Sequence, residues 1–110
     1  MASRLGFQSV GPDVIATANA NVTYRCNNQE HATIVLNCTS YTAATVILLA
    51  ASVDGINYFP LAPEGGTATG QIAISAVGFT VALNKSIALH SIRVVFVSGT
   101  ASVTVTGAFR

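Results

Sequence analysis

Charge is the scarcest property of this sequence. Asp, Glu, Lys and Arg together make up 8% of its 110 residues, and the formal net charge is +1, whereas a typical soluble domain is about 25% charged. Such a balance argues against electrostatic attraction to nucleic acid or to an acidic membrane. A domain with few charges is also poorly protected against association, so we expect a homo-oligomer or a subunit of a larger assembly.

Long hydrophobic runs are absent as well. The mean hydropathy is +0.58, yet the longest apolar run, Val46 to Ala51, has the length of a strand and falls short of the ~18 residues that span a bilayer. We therefore expect no membrane insertion. Residues 1–7 contain no apolar secretory core, which predicts synthesis in a reducing cytoplasm. Cys26 and Cys38 should then be free thiols, and a hairpin centred near Gln29 would hold them ~20 Å apart.

Groups that could perform catalysis are few. The acids and histidines are Asp13, Glu30, Asp54, Glu64, His31 and His90. We expect Asp54 in a turn, Glu30 and Glu64 in loops, and His90 pointing inward at a strand end. The spacing of Cys26, His31 and Cys38 matches no compact zinc pattern. The sequence therefore predicts no enzyme activity, no metal and no cofactor.

Short β-prone runs separated by turn residues fill the sequence from Val14 onwards. No stretch has a 3.6-residue period, and turn signals recur at regular intervals, which is typical of a β-sandwich. We predict an all-β fold, with one antiparallel sandwich domain over residues 14–110, Ig-like or jelly-roll-like, built from seven to eight short strands. Residues 1–13 show no sustained pattern and are predicted to form an extended N-terminal arm.

A hairpin is predicted at Asp54-Gly55, which lies between two β-prone runs as a type I′ turn requires. This turn would place Ala51 opposite Tyr58. Because proline cannot donate to a ladder, the return strand should end at Pro60 or lie at a sheet edge. Residues 46–51 are apolar on both faces, so the first strand should be covered on both sides.

A second hairpin is predicted at the end of the chain. Gly99-Thr100 suits a type II′ turn, in which glycine comes first, and this turn would place Val97 opposite Ser102. One face of the hairpin would be buried, and its members are Ile92, Val94, Phe96, Val103 and Val105. The other face would be lined with threonine and would carry Arg93.

Three segments of the sequence carry a resemblance to a known group of proteins. They are Val46-x-Leu48-x-x-Ser52-x-Asp54-Gly55-x-Asn57-Tyr58-x-Pro60-Leu61 and, later in the chain, Ile92-Arg93-Val94 and Ser98-Gly99-Thr100-Ala-Ser102-Val103-Thr104-Val105. Together they resemble small structural proteins of tailed bacteriophage virions. The resemblance covers residues 45–109. It implies a non-enzymatic capsid decoration (cement) protein that binds across neighbouring capsid subunits, or alternatively a tail or neck component. The implied partners are the major capsid protein, other virion proteins and further copies of this chain, and the implied location is the virion.

A small carbohydrate-binding β-sandwich module is the alternative from another functional class. Sugar sites depend on exposed aromatic rings, and this sequence has no Trp. Tyr24, Tyr41 and Tyr58 are expected in strands or turns, which favours the structural role. For that role the candidate interface residues are Arg4, Leu5 and Phe7 in the arm, together with Arg93.

Overall fold

Residues 8–27 and 29–110, which this computed structural model describes, form strands and connecting turns and contain no helix. Seven antiparallel strands belong to one open sheet. The strands are β1 (Gln8–Ile15), β2 (Asn21–Arg25), β3 (His31–Ser52), β4 (Phe59–Pro60), β5 (Gln71–Ile74), β6 (Gly78–Ser86) and β7 (Ser91–Phe109). The prediction of an all-β, antiparallel, sandwich-like fold is confirmed.

Two of the strands are long, whereas the sequence predicted only short ones. β3 has 22 residues and would extend about 73 Å if it were straight, but the longest dimension of the molecule is 44 Å. β3 and β7 pair along their whole lengths, and their register shifts cluster between Cys38 and Ile47. Because β-bulges bend and twist strands, both strands fold over together at this point.

The bend divides the sheet into two layers. Layer A is the name we give to β1 and β6 together with residues 31–38 of β3 and residues 103–109 of β7. In this layer β1 pairs with β7, β7 pairs with β3, and β3 pairs with β6. We call layer B the strands β2, β4 and β5 with residues 46–52 of β3 and 91–98 of β7. The layers pack their inner faces around one core.

Inward-facing residues alternate along each half of the long strands, as a period of two requires. The largest fully buried side chains are Phe96, Phe109, Ile15, Ile34, Leu36, Ile47, Leu49, Leu83, Ile92, Val94, Val103 and Val105. The predicted burial of the apolar face around Phe96 is therefore confirmed. Each such side chain contributes about 1.5–3 kcal/mol through removal from water.

The predicted closing hairpin at Gly99-Thr100 is wrong. β7 continues through both residues, and Thr100 pairs with Ala43 of β3, not with its own strand. A hairpin would have paired the two halves of β7 with each other. In the fold, β3 supplies an antiparallel neighbour to both halves, and Gly99 accommodates the bend with a φ of +112°.

The hairpin at Asp54 exists, but its loop is longer than two residues. Ala51 pairs with Phe59, one residue beyond the predicted Tyr58. The loop is wider because the Asp54 carboxylate accepts hydrogen bonds from the backbone N–H groups of Ile56 and Asn57, each at 2.8 Å. β4 ends at Pro60 and lies at the end of the strand order, which confirms the prediction from proline.

The strands on either side of Gln29 do not form a hairpin with each other. β2 pairs with β7, placing Tyr24 opposite Ile92, and does not pair with β3. The predicted separation of Cys26 and Cys38 assumed that these strands pair with each other, so it no longer applies. Both cysteines are free, buried thiols, and burial raises the pKa of the Cys26 thiol.

The predicted arm needs correction at residues 8–13. These residues belong to β1, which pairs with the end of β7 from Gln8 opposite Phe109 onwards. The pairing buries Ile15, so the apolar residue at the end of this stretch ties it to the core. Residues 1–7 lie outside the described part of the chain.

Candidate interaction surface

A β-bulge in β6 turns two large apolar side chains outward. Phe79, Val81 and Leu83 alternate in the sequence, so a regular strand would place all three on one face. In the structure Leu83 pairs with Ile34 while Val81 pairs with the next residue of β3, so Ala82 is the extra residue. As a result Leu83 is fully buried, whereas Phe79 is 77% exposed and Val81 is 48% exposed.

These side chains belong to the outer face of layer A, which we call face A. Its uncharged members, placed by strand register and alternation, are Val14, Thr33, Val35, Asn37, Phe79, Val81, Thr104 and Thr106. None of them is charged at any ordinary pH. At the end of the face His31 lies within hydrogen-bond distance of Asn84, Nε2 to Oδ1 at 2.8 Å, and of the Ser86 hydroxyl.

The free edge of β6 is open over residues 78–81 and closed beyond them. Among the described residues, β6 pairs only with β3. At the bulge, the backbone N–H of Glu64 donates to the Ala82 carbonyl at 2.9 Å, so a loop covers this point. Lys85 follows near the end of the strand. A bulge and a lysine are the devices by which proteins protect sheet edges, and both lie outside residues 78–81.

Arg93 lies on the outer face of layer B, on the opposite side of the molecule from face A. Its Nε donates to the Thr23 hydroxyl at 3.1 Å, and its Cζ is 3.9 Å from the centre of the Tyr58 ring. The predicted grouping of Arg93 with Thr104 and Thr106 on one face therefore fails, because the bend in β7 sends the two halves to different layers. Arg4, Leu5 and Phe7 lie outside the described residues.

The tyrosines provide no stacking platform of the kind that sugars use. The guanidinium group of Arg93 occupies one face of the Tyr58 ring. Tyr24 is 8% exposed, and Tyr41 packs partly against the core. No tyrosine therefore combines free exposure with an open ring face.

A cleft at the strand ends is lined by His90, which lies beside a serine hydroxyl as in a His–Ser catalytic pair. It has a volume of about 360 Å³ and is lined by Gln29, Glu30, Val53, Ala88, Leu89 and His90. His90 is half-buried, as predicted, and its Nδ1 lies 2.6 Å from the Ser91 hydroxyl. The described lining residues include no nucleophile.

The other titratable groups are dispersed. Asp54 is engaged in its turn and Asp13 accepts a hydrogen bond from Tyr24. Within residues 8–27 and 29–110, no three His, Cys, Asp or Glu side chains are grouped in a way that could hold a metal ion. No helix in that part of the chain is long and apolar enough to cross a membrane.

Comparison with known proteins identifies a shared fold. No protein-family model and no curated protein sequence matches this chain. Among solved structures, the SPBc2 prophage-derived protein YomS superimposes with a TM-score of 0.67 and 18% identity over 94% of this chain and 91% of YomS. PirA superimposes with a TM-score of 0.49 and 12% identity over 94% and 91%. A Bacillus endospore appendage pilus protein gives 0.48 and 11% over 94% and 82%.

Proposed function

We propose that this chain is a non-enzymatic structural protein of a bacteriophage virion, and specifically a capsid decoration protein. It binds the major capsid protein across neighbouring subunits. The observation that carries the proposal is face A, which presents an exposed Phe79 and a surrounding surface of valine, threonine and asparagine without a charged group. The fold shared with a prophage-derived protein supports the phage assignment.

The chemistry of face A suits a protein partner. The central parts of protein interfaces are depleted in charged residues and enriched in aromatic ones. Burying face A removes no ionised side chain from water, so the desolvation penalty that accompanies buried charges is avoided. The threonine hydroxyls and the Asn37 amide remain available for hydrogen bonds across the contact.

The proposal includes further contacts at the residues predicted from the sequence. Arg93, fixed between Thr23 and Tyr58, presents a cation on the side of the molecule away from face A. Arg4, Leu5 and Phe7, which precede β1 in the sequence, are included as further contact residues. Contacts on two sides of one small domain allow it to bridge two capsid subunits.

A charge placed in face A tests the proposal. The probe is empty capsids of the phage or prophage that encodes the chain, with isolated tails as a parallel probe. Thr106→Glu should lower capsid affinity by at least about tenfold, the equivalent of 1.4 kcal/mol, because the new carboxylate loses its water on binding. Thr17→Glu, in an exposed turn outside face A, should bind like the unaltered protein.

Deletion of residues 2–7 tests the arm separately. The deletion stops before Gln8, the first described residue of β1, and it should lower capsid affinity. Urea unfolding of the deleted protein separates a loss of binding from a loss of stability. Binding to tails in place of capsids would favour the tail or neck alternative. If the full-length protein binds neither particle, the virion assignment is wrong.

A further inference from the structure

We propose that two copies of this chain associate by pairing the open segment of β6, residues 78–81, together with Val77 directly before it, antiparallel across a two-fold axis. The pairing joins layer A of one copy to layer A of the other in one continuous sheet. This contact goes beyond capsid binding and does not depend on it.

The other outer strands carry features that discourage pairing. β1 contains Pro12 and has a register shift between Val10 and Asp13. β2 is five residues long and ends at Arg25, β4 has two residues and ends in proline, and β5 has four residues. Short strands, prolines, charges and irregular register all protect sheet edges.

The segment 77–81 lacks the charge, the proline and the irregular register of the other outer strands, and it leads into a strand of nine residues. It contains no charge and no proline, and the loop that covers β6 acts at Ala82, beyond the segment. Its outward side chains Val77, Phe79 and Val81 are 63%, 77% and 48% exposed. A row of free backbone groups with apolar side chains beside it is the arrangement that adds a further strand.

A second copy is the occupant that this edge fits. Every strand pair in the fold is antiparallel, and a two-fold axis through Phe79 continues that pattern. Phe79 then faces the partner's Phe79, and Val77 faces the partner's Val81, so apolar side chains meet on both sides of the axis. A contact between two different edges would need one of the protected strands, whereas self-pairing uses the open segment twice.

Charge supports the same occupant. The only charged residue of β6 is Lys85, six positions from the axis, so the two copies of Lys85 would lie about 40 Å apart along the strands. The segment has no charged side chain with which a partner of complementary charge could pair. Self-pairing brings no like charges together.

The dimer should be weak when free in solution. The contact is one short strand pair with its flanking side chains, which is smaller than the ~1,200–2,000 Å² interface of a stable complex. On a particle surface, many copies held side by side make such a contact effective through multivalency. The association should therefore be visible at high concentration and should depend steeply on the side chain at position 79.

Sedimentation over a concentration series tests the dimer with a matched pair of variants. Phe79→Lys places two ammonium groups face to face at the axis and should abolish self-association. Ile56→Lys is the control, because Ile56 is 79% exposed and Phe79 is 77% exposed, so both changes replace a side chain that projects into solvent. The unaltered protein and the control should approach twice the 11.3 kDa chain mass as concentration rises.

Oxidative cross-linking tests the register. Phe79→Cys puts a thiol on the axis, where directly opposed Cβ atoms are about 4.5–5.5 Å apart and close to disulfide distance. A disulfide-linked dimer should form, while Val14→Cys, an exposed position on the same face but at its far edge, should give none. The proposal is overturned if the unaltered protein stays monomeric to about 1 mM or if Phe79→Lys associates as the control does. Thr106→Glu keeps the two proposals apart, because Thr106 lies on face A two strands away from the edge of β6: this variant should associate like the unaltered protein even where its capsid affinity is lowered.

Discussion

Tyr24 donates its phenolic hydrogen to the Asp13 carboxylate, Oη to Oδ2 at 2.7 Å, and so connects the two layers at one edge of the sandwich. Tyr24 belongs to β2 of layer B and is 8% exposed, while Asp13 belongs to β1 of layer A. Burial raises the pKa of Tyr24, and the adjacent carboxylate raises it further, by hydrogen bonding and by repulsion of a phenolate. The phenol therefore stays neutral and remains a donor in the folded protein.

Tyr24→Phe should lower the free energy of unfolding by about 1.5–3 kcal/mol, the usual value for a hydrogen bond to a charged group. The unfolded chain ionises this phenol near pH 10, whereas the folded protein holds the proton to higher pH. The unaltered protein should therefore lose stability as pH rises above about 10. Urea unfolding between pH 7 and 11 measures both effects. An equally steep decline in Tyr24→Phe would contradict this account.

Two phenylalanines should respond to truncation in opposite ways. Phe96 is fully buried in the core, whereas Phe79 is 77% exposed. Phe96→Ala should cost about 3–5 kcal/mol of unfolding free energy, as expected for a truncated core aromatic. Phe79→Ala should change stability by less than about 0.5 kcal/mol. Denaturant unfolding at a concentration where the protein is monomeric measures both, and an equal loss in the two variants would contradict the assigned faces.

Alternation predicted burial where a strand is regular and failed where it has a bulge. In the first half of β7, Ile92, Val94 and Phe96 alternate without interruption, and the core face follows directly from the sequence. In β6 the adjacent apolar residues Ala82 and Leu83 both turn inward, which reverses the face for every residue before them. Two consecutive apolar residues, Ala82 and Leu83, indicate a possible bulge in the sequence. A period of two does not show which of the two is the extra residue.

Long-range pairing was beyond the reach of local patterns. Asp54-Gly55 gave a correct hairpin because the turn chemistry is local, although the side-chain hydrogen bonds widened the loop. Gly99-Thr100 carried an equally good turn signal, but pairing with β3 along the whole of β7 outweighed it. Face A combines residues of four strands, and local sequence patterns do not give the registers that bring these residues together. The interface role of Arg93 stays a prediction from the sequence, and its contact with Tyr58 could not be predicted from local patterns.

Asp54 should make the Ser52–Asn57 loop sensitive to acid. The Asn57 and Ile56 backbone N–H groups, the Asn57 side chain and the Ser52 hydroxyl all donate to the carboxylate, and they hold the pKa of Asp54 well below its usual range. The contribution of this charge to stability is present above the unfolded pKa of about 3.9 and is lost as pH falls below it.

Asp54→Asn should therefore lower the thermal midpoint at pH 7 and flatten its decline between pH 5 and 2. Glu64→Gln, a neutralised acid outside this loop, is the control and should follow the unaltered protein more closely. Thermal unfolding in a pH series measures the three curves. An Asp54→Asn curve parallel to that of the unaltered protein would show that the carboxylate is not favoured by folding.

Gly99 should be the glycine least tolerant of a side chain in the bend. It has a φ of +112°, and a Cβ placed on it would collide with the Ala44 carbonyl and with Thr45. Gly65 also has a positive φ, +68°, but its Cβ would meet nothing within 4 Å. Gly65→Ala should cost about 1 kcal/mol for the backbone conformation alone, and Gly99→Ala should cost clearly more because β7 must move away from β3. Urea unfolding of the two variants separates steric from conformational cost, and equal losses would mean that β7 does not cross β3 closely at residue 99.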